Sequence, residues 1–193
     1  MSILTEKIKA EGRVYPGNIL KVDSFLNHQV DVSFMSALGR EIAEKFSDVE
    51  ITKVLTVETS GLVIAYPVAE ALGCKMVFAK KHQTKNLAGD VYTADVASFT
   101  HGTVYEIRLA KQYLNENDKV LIVDDFLANG QAVRGLRQII EQAGATLAGV
   151  AIAIEKGFQP GGQQLREEGI RLESMAIVDE MDGETGTIVF RAE

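Results

Sequence analysis

Two adjacent carboxylates, Asp124 and Asp125, close the apolar run Val120–Val123 and are followed at once by Ala128-Asn129-Gly130-Gln131-Ala132. Like charges at neighbouring positions repel, so a pair at the end of a buried strand implies a use for them. The loop after them opens a helix, and the unpaired N–H groups and dipole of a helix start attract an anion. Gly130 allows close approach of the backbone, and small Ala128 and Ala132 leave room. A phosphate on the amides with hydroxyls on the carboxylates describes a ribose 5-phosphate. An acidic strand end before an ordinary capping turn is the plain alternative. The succession of apolar strand, two acids, small-residue loop and helix is the more specific pattern.

A second loop of similar kind is "VETSG" (57–61), a strand running into Thr59, Ser60 and Gly61 at a helix start. It suits an anion and suits equally a turn capped by Thr59 or Ser60, since one loop can do both. Lys80, Lys81 and His82 gather positive charge at another strand end. A solvated basic cluster is the usual explanation for such a run. Lys156 follows the most apolar strand of the chain directly, with Phe158 two residues on. No G-x-x-x-x-G-K-[ST] run and no G-x-G-x-x-G after a strand is present, so neither a Walker-type nor a dinucleotide site is indicated.

The elements that must hold these residues follow from periodicity. A short helix is expected over 2–11, stopped by Gly12, and a second one capped by Asp31 with Met35, Leu38, Ile42 and Phe46 on one face. Strands are expected at 53–57, 75–79, 119–124 and 146–156, and helices at 62–72, closed by Gly73, and after Gly130 up to Gly144. Near-continuous apolar strands alternating with helices imply an α/β fold, a doubly wound, mainly parallel sheet. In such sheets ligands bind beyond the carboxyl ends of strands where strand order reverses. Residues 80–109 are expected to form a mobile loop with a hairpin around His101-Gly102. The segment "LKVDSFLNHQVD" (20–31) lacks clean periodicity, which suggests a binding loop more than a core element.

At 193 residues, one domain with a small appended lobe is expected. The formal charge of −7 argues against nucleic acid and anionic membrane surfaces as partners. The single cysteine, Cys74, excludes an internal disulfide. With no signal-like start and no long apolar run, a cytoplasmic location is expected.

"VLIVDDFLANGQA" (120–132) resembles the 5-phosphoribosyl 1-diphosphate (PRPP) signature of the type I phosphoribosyltransferases. It departs from the commonest pattern by placing Asn129, Gln131 and Ala132 where Thr, Gly and Thr are usual, a variation found in one purine-using subgroup. "LKVDSFLNHQVD", "FAKKH" and "IEKGFQPG" resemble the same subgroup, so the resemblance covers essentially the whole chain. It implies the type I phosphoribosyltransferase fold as one domain, 1–193, with a hood from about 1–30 plus part of the C-terminal third and a flexible loop at about 80–109. The implied reaction is transfer of phosphoribose from PRPP to N9 of xanthine, giving XMP and pyrophosphate, with Mg²⁺ held mainly through PRPP and with a homodimer as the assembly. Asp124 and Asp125 would be catalytic. Ala128–Ala132, Thr59–Gly61, Lys80 and Lys81 would bind PRPP, and Leu20, Asn27, Lys156 and Phe158 would bind the base. Lys156 would donate to a 6-oxo group and so reject adenine, which presents a donor there. Asn27 can turn its amide to suit xanthine or guanine alike, so guanine or hypoxanthine is the alternative substrate. A non-catalytic PRPP-sensing regulator is a further one, although such regulators usually carry a DNA-binding module.

Overall fold

The computed structural model describes residues 2–81, 89–98 and 103–192; His82 and the His101-Gly102 turn lie outside them. The chain runs through α1 (Ile3–Glu11), a hairpin of β1 (Arg13–Tyr15) and β2 (Ile19–Lys21), α2 (Val32–Lys45), β3 (Lys53–Val57), α3 (Gly61–Leu72) and β4 (Lys75–Ala79). A second hairpin of β5 (Val91–Ser98) and β6 (Thr103–Ala110) precedes β7 (Lys119–Leu127), α4 (Gln131–Gln142), β8 (Thr146–Lys156), α5 (Pro160–Glu167), β9 (Leu172–Met181) and β10 (Ile188–Phe190).

Six strands form one sheet in the order β10-β9-β8-β7-β3-β4. All pair in parallel except β10, which is antiparallel to β9. From the centre, β3-α3-β4 winds one way and β7-α4-β8-α5-β9 the other, so strand order reverses between β3 and β7. Strand alternation sends Leu121 and Val123 to one face and Val120 and Ile122 to the other. The first face is covered by Leu38 and Ile42 of α2 and Ile64 and Val68 of α3, the second by Leu136 and Ile139 of α4.

Local signals account for the element ends. The Asp31 carboxylate accepts from Phe34 N–H at 3.0 Å and caps α2, and Gly73, at φ 67°, closes α3. Three regions differ from expectation. β7 does not stop at Asp124 but continues to Leu127, because Phe126 and Leu127 still pair with Ile154 and Glu155 of the long β8. Segment 20–31 is part loop and part core: Val22, Phe25 and Leu26 are fully buried around a π-helical turn at Asp23–Asn27, whose period matches neither strand nor α-helix, while Asn27–Val30 are exposed. The mobile loop expected over 80–109 does not include its arms, since Val96 of β5 and Ile107 and Leu109 of β6 are buried against α4.

The two chain ends meet. Leu4 and Ile8 of α1 share a core with Met175 and Val178 of β9, and a Cβ on Gly183 would collide with Tyr15 and Pro16 in the β1–β2 hairpin.

Candidate active site

The switch point between β3 and β7 gathers both loops. Asp124 is buried, 6% exposed, and its Oδ1 accepts the Asp125 N–H at 3.0 Å. Burial, and then the neighbouring Asp125 charge, hold the Asp124 carboxyl well above the usual 3.8. Burial also raises Asp125, with the Ser60 hydroxyl beside it working the other way. Across from them α3 begins at Gly61. A Cβ there would strike Thr56 Oγ1 and come within 2.8 Å of Asp124 Oδ1, so only glycine lets the 58–61 loop lie this close to the acids.

The loop after β7 is shaped by its own backbone and by the start of α5. Gly130 takes φ 77°, which a side chain resists, and turns the chain into α4. The first-turn N–H groups from Gln131 have no carbonyl of their own helix to meet. The Gly161 N–H donates to Ala128 O at 3.0 Å, and a Cβ on Gly161 would collide with Ala128 O and Gly130 N. The N-terminal turn of α5 therefore fixes the loop from behind.

In front of that loop lies a cavity of about 510 Å³ lined by all of Ala128–Ala132 and by Lys156, with Asn18, Tyr105 and Gln159 among its other walls. Lys156 Nζ donates to Asn18 O at 3.1 Å, and burial lowers its pKa. The Tyr105 hydroxyl is pushed up by burial and by the Asp124 charge. Lys81 Nζ stands 5.2 Å from the Tyr105 ring centroid and is the cation whose charge eases Asp124. The Lys81 N–H is held by Glu58 Oε1 at 2.7 Å.

The expected residues divide. Asp124, Asp125, Thr59–Gly61, Ala128–Ala132, Lys81 and Lys156 occupy one end of the sheet. Lys80 does not join them. Its backbone pairs with Arg108 and its ammonium lies over Phe78, beside a separate apolar pocket, because consecutive residues at a strand end face opposite ways. Leu20 is buried in the core, leaving Ile19 on the cavity wall. Asn27 is exposed and outside the lining, since the turn that carries it aims Phe25 and Leu26 inward. Phe158 is at the tip of a turn, 39% exposed, and also outside the lining. Asn18, Tyr105 and Gln159 were not singled out in the sequence; Gln159 lies within "IEKGFQPG" beside Lys156 and Phe158, while Asn18 and Tyr105 belong to no quoted motif and packing brings them to the cavity.

Residues 33–162 match the phosphoribosyl transferase domain family. The chain is 53% identical over 193 residues, all of both chains, to a xanthine phosphoribosyltransferase of Bifidobacterium adolescentis. It is 50% identical over 191 residues, 99% of this chain and 94% of the relative, to one of Alkaliphilus metalliredigens. In three dimensions it resembles the adenine phosphoribosyltransferase of Giardia lamblia solved with 9-deazaadenine, at TM-score 0.76 and 25% identity over 92% of this chain and 97% of that one. The chain belongs to the phosphoribosyltransferase family, in its xanthine phosphoribosyltransferase branch.

Proposed function

We propose that the chain is a purine salvage enzyme that transfers 5-phosphoribose from PRPP to N9 of xanthine, releasing pyrophosphate and XMP. The observation that carries this reading is one cavity with the Ala128–Ala132 loop and α4 start along one part and the Lys156 ammonium at another. The 5-phosphate rests on main-chain N–H groups of the loop, and the base lies with its 6-oxo group at Lys156. Burial that lowers the Lys156 pKa also strengthens its hydrogen bond to an oxo group and its penalty against the adenine amino group.

The N9 lone pair attacks C1′ as the bond from C1′ to the pyrophosphate oxygen breaks, so C1′ becomes positive in passing. Asp124 and Asp125 hold the ribose hydroxyls and place negative potential near that carbon. Lys81 and the N–H groups of Thr59–Gly61 receive the charge that leaves on pyrophosphate. Most of the rate then comes from positioning and electrostatics.

Family members generally use Mg²⁺ with PRPP. Among the described residues no group of three or more His, Cys, Asp or Glu could cage a metal, while two adjacent carboxylates suit an ion held mainly by substrate oxygens and water. Bound there, Mg²⁺ would neutralise diphosphate charge. A homodimer and a cytoplasmic location complete the proposal; no helix among the described residues is long and apolar enough to cross a membrane.

A spectrophotometric assay with PRPP, Mg²⁺ and each purine in turn tests it. Xanthine should be used best and adenine not at all. Use of guanine but not xanthine would move the base assignment, and no pyrophosphate release with any purine would favour a regulator. Lys156→Ala should weaken xanthine use while leaving the KM for PRPP unchanged.

A further inference from the structure

Within the site just proposed, one polar group has no assigned partner. Gln159 lines the same cavity as Lys156, and its side-chain Oε1 is buried with no hydrogen-bond partner among the described residues. A buried acceptor left unpaired is costly, and a donor on a bound ligand removes that cost. The backbone holds the residue where such a ligand would pass. The Gln159 N–H donates to Lys156 O at 2.9 Å, closing a turn that brings both side chains to the cavity and leaves Phe158 at its tip. Two residues further on, Gly161 is bonded to Ala128 O at 3.0 Å. Gln159 therefore stands on the stretch of wall that runs from the base end of the cavity, at Lys156, to the phosphate loop.

A 6-oxopurine with O6 at Lys156 and N9 turned to the sugar has one short edge between those two atoms, and that edge carries N7. We propose that the Gln159 carboxamide reads N7 of the substrate base, accepting the N7–H so that the in-plane lone pair lies on N9, where it faces C1′. The tautomer with its proton on N9 has no such pair to donate. As N9 bonds to C1′ and the C1′–O bond breaks with its pair going to pyrophosphate, the N7 proton is released to solvent and N7 keeps a lone pair in the nucleotide. Gln159 stays neutral throughout. A carboxamide carries both a donor and an acceptor, so by turning over it meets N7–H in the base and the bare N7 in the product.

This inference rests on the proposed function, and its test separates the two. Gln159→Leu should lower kcat/KM for xanthine about tenfold to a hundredfold, with the KM for PRPP unchanged and the unfolding midpoint the same or higher, since an unpaired buried acceptor has gone. Gln159→Glu, which keeps an acceptor, should recover most of that loss. The wild-type protein should bind 7-deazaxanthine, which has carbon in place of N7, about tenfold or more weakly than xanthine, and Gln159→Leu should close that gap. Equal binding of the two bases by the wild-type protein, or xanthine use by Gln159→Leu within about twofold of wild type, would overturn the role of Gln159 while leaving the proposed function standing. Absence of xanthine turnover by the wild-type protein would remove both.

Discussion

Asp124 and Glu155 are buried acids near the carboxyl ends of adjacent strands, 6% and 2% exposed, yet they are treated in opposite ways. Glu155 has a full set of partners: Arg166 grips it with two nitrogens at 2.8 and 2.7 Å, and the Ser174 hydroxyl donates to it as well. Burial pushes its pKa up, but those partners outweigh it and hold it below the usual 4.5. Asp124 has one backbone N–H, a second carboxylate beside it and a lysine at longer range, and its pKa is raised. A carboxylate paired on all sides is a structural device; one left to be paired by a ligand is a site. The Glu155 network also serves the site at one remove, because Arg166 lies on α5 and the first turn of α5 buttresses the Ala128–Gly130 loop.

The contrast can be broken most severely at the ligand-seeking pair. Asp124→Asn with Asp125→Asn should lower kcat/KM by about a thousandfold, while urea unfolding at pH 7 shows a protein as stable as wild type or more so, because a costly buried charge has gone. Retained turnover, or a collapse in stability, would make Asp124 another Glu155. Next in size, Arg166→Met leaves Glu155 buried and unpaired. It should cost about 2–3 kcal/mol of unfolding free energy by chemical denaturation, at the lower end of such effects because the Arg166 side chain is 36% exposed. The remaining folded enzyme should still turn over. Smaller again, Gly61→Ala forces a methyl group against buried Thr56 and Asp124 and should lower kcat/KM about tenfold by shifting the acids from their working position, with a fall in the unfolding midpoint from the same overpacking.

The smallest effect is a difference of sign with pH. The raised Asp124 pKa means that the folded chain holds a proton which the unfolded chain releases above the usual 3.8. Its contribution is fully present below that value and is lost as pH rises through the folded pKa. Glu155 runs the other way. Its contribution is present above the usual 4.5 and is lost as pH falls through its lower folded value. Stability curves for Asp124→Asn and Glu155→Gln should therefore lie near wild type at acid pH and part from it in opposite directions toward neutral pH, Asp124→Asn above and Glu155→Gln below; departures of the same sign would erase the distinction.

The halves of this comparison were unequally legible in the sequence. Asp124 and Asp125 stood out because two acids interrupt a four-residue apolar run, and the Gly130 turn after them has a local cause. Glu155 went unremarked inside the apolar strand 146–156, since its partners, Arg166 and Ser174, lie 11 and 19 residues away and fall into no short pattern. The sheet was readable because β3, β7 and β8 are continuous apolar runs, and α2 because Asp31 caps it. The π-helical turn at Asp23–Asn27 was not readable, as its repeat fits neither template and so Phe25 and Leu26 passed for loop residues. Lys80 and Lys81 looked interchangeable; which one faces the acids depends on the twist and register of β4, which the sequence does not state. Tyr105 reaches the cavity only because the β5–β6 hairpin folds down on α4.

The most direct test is a crystal structure with XMP bound. The 5′-phosphate should lie on the main-chain N–H groups of Asn129–Ala132, with Asp124 and Asp125 at the ribose hydroxyls and the 6-oxo group at Lys156. A phosphate seated anywhere else, or a ribose that leaves Asp124 without a partner, would contradict the account.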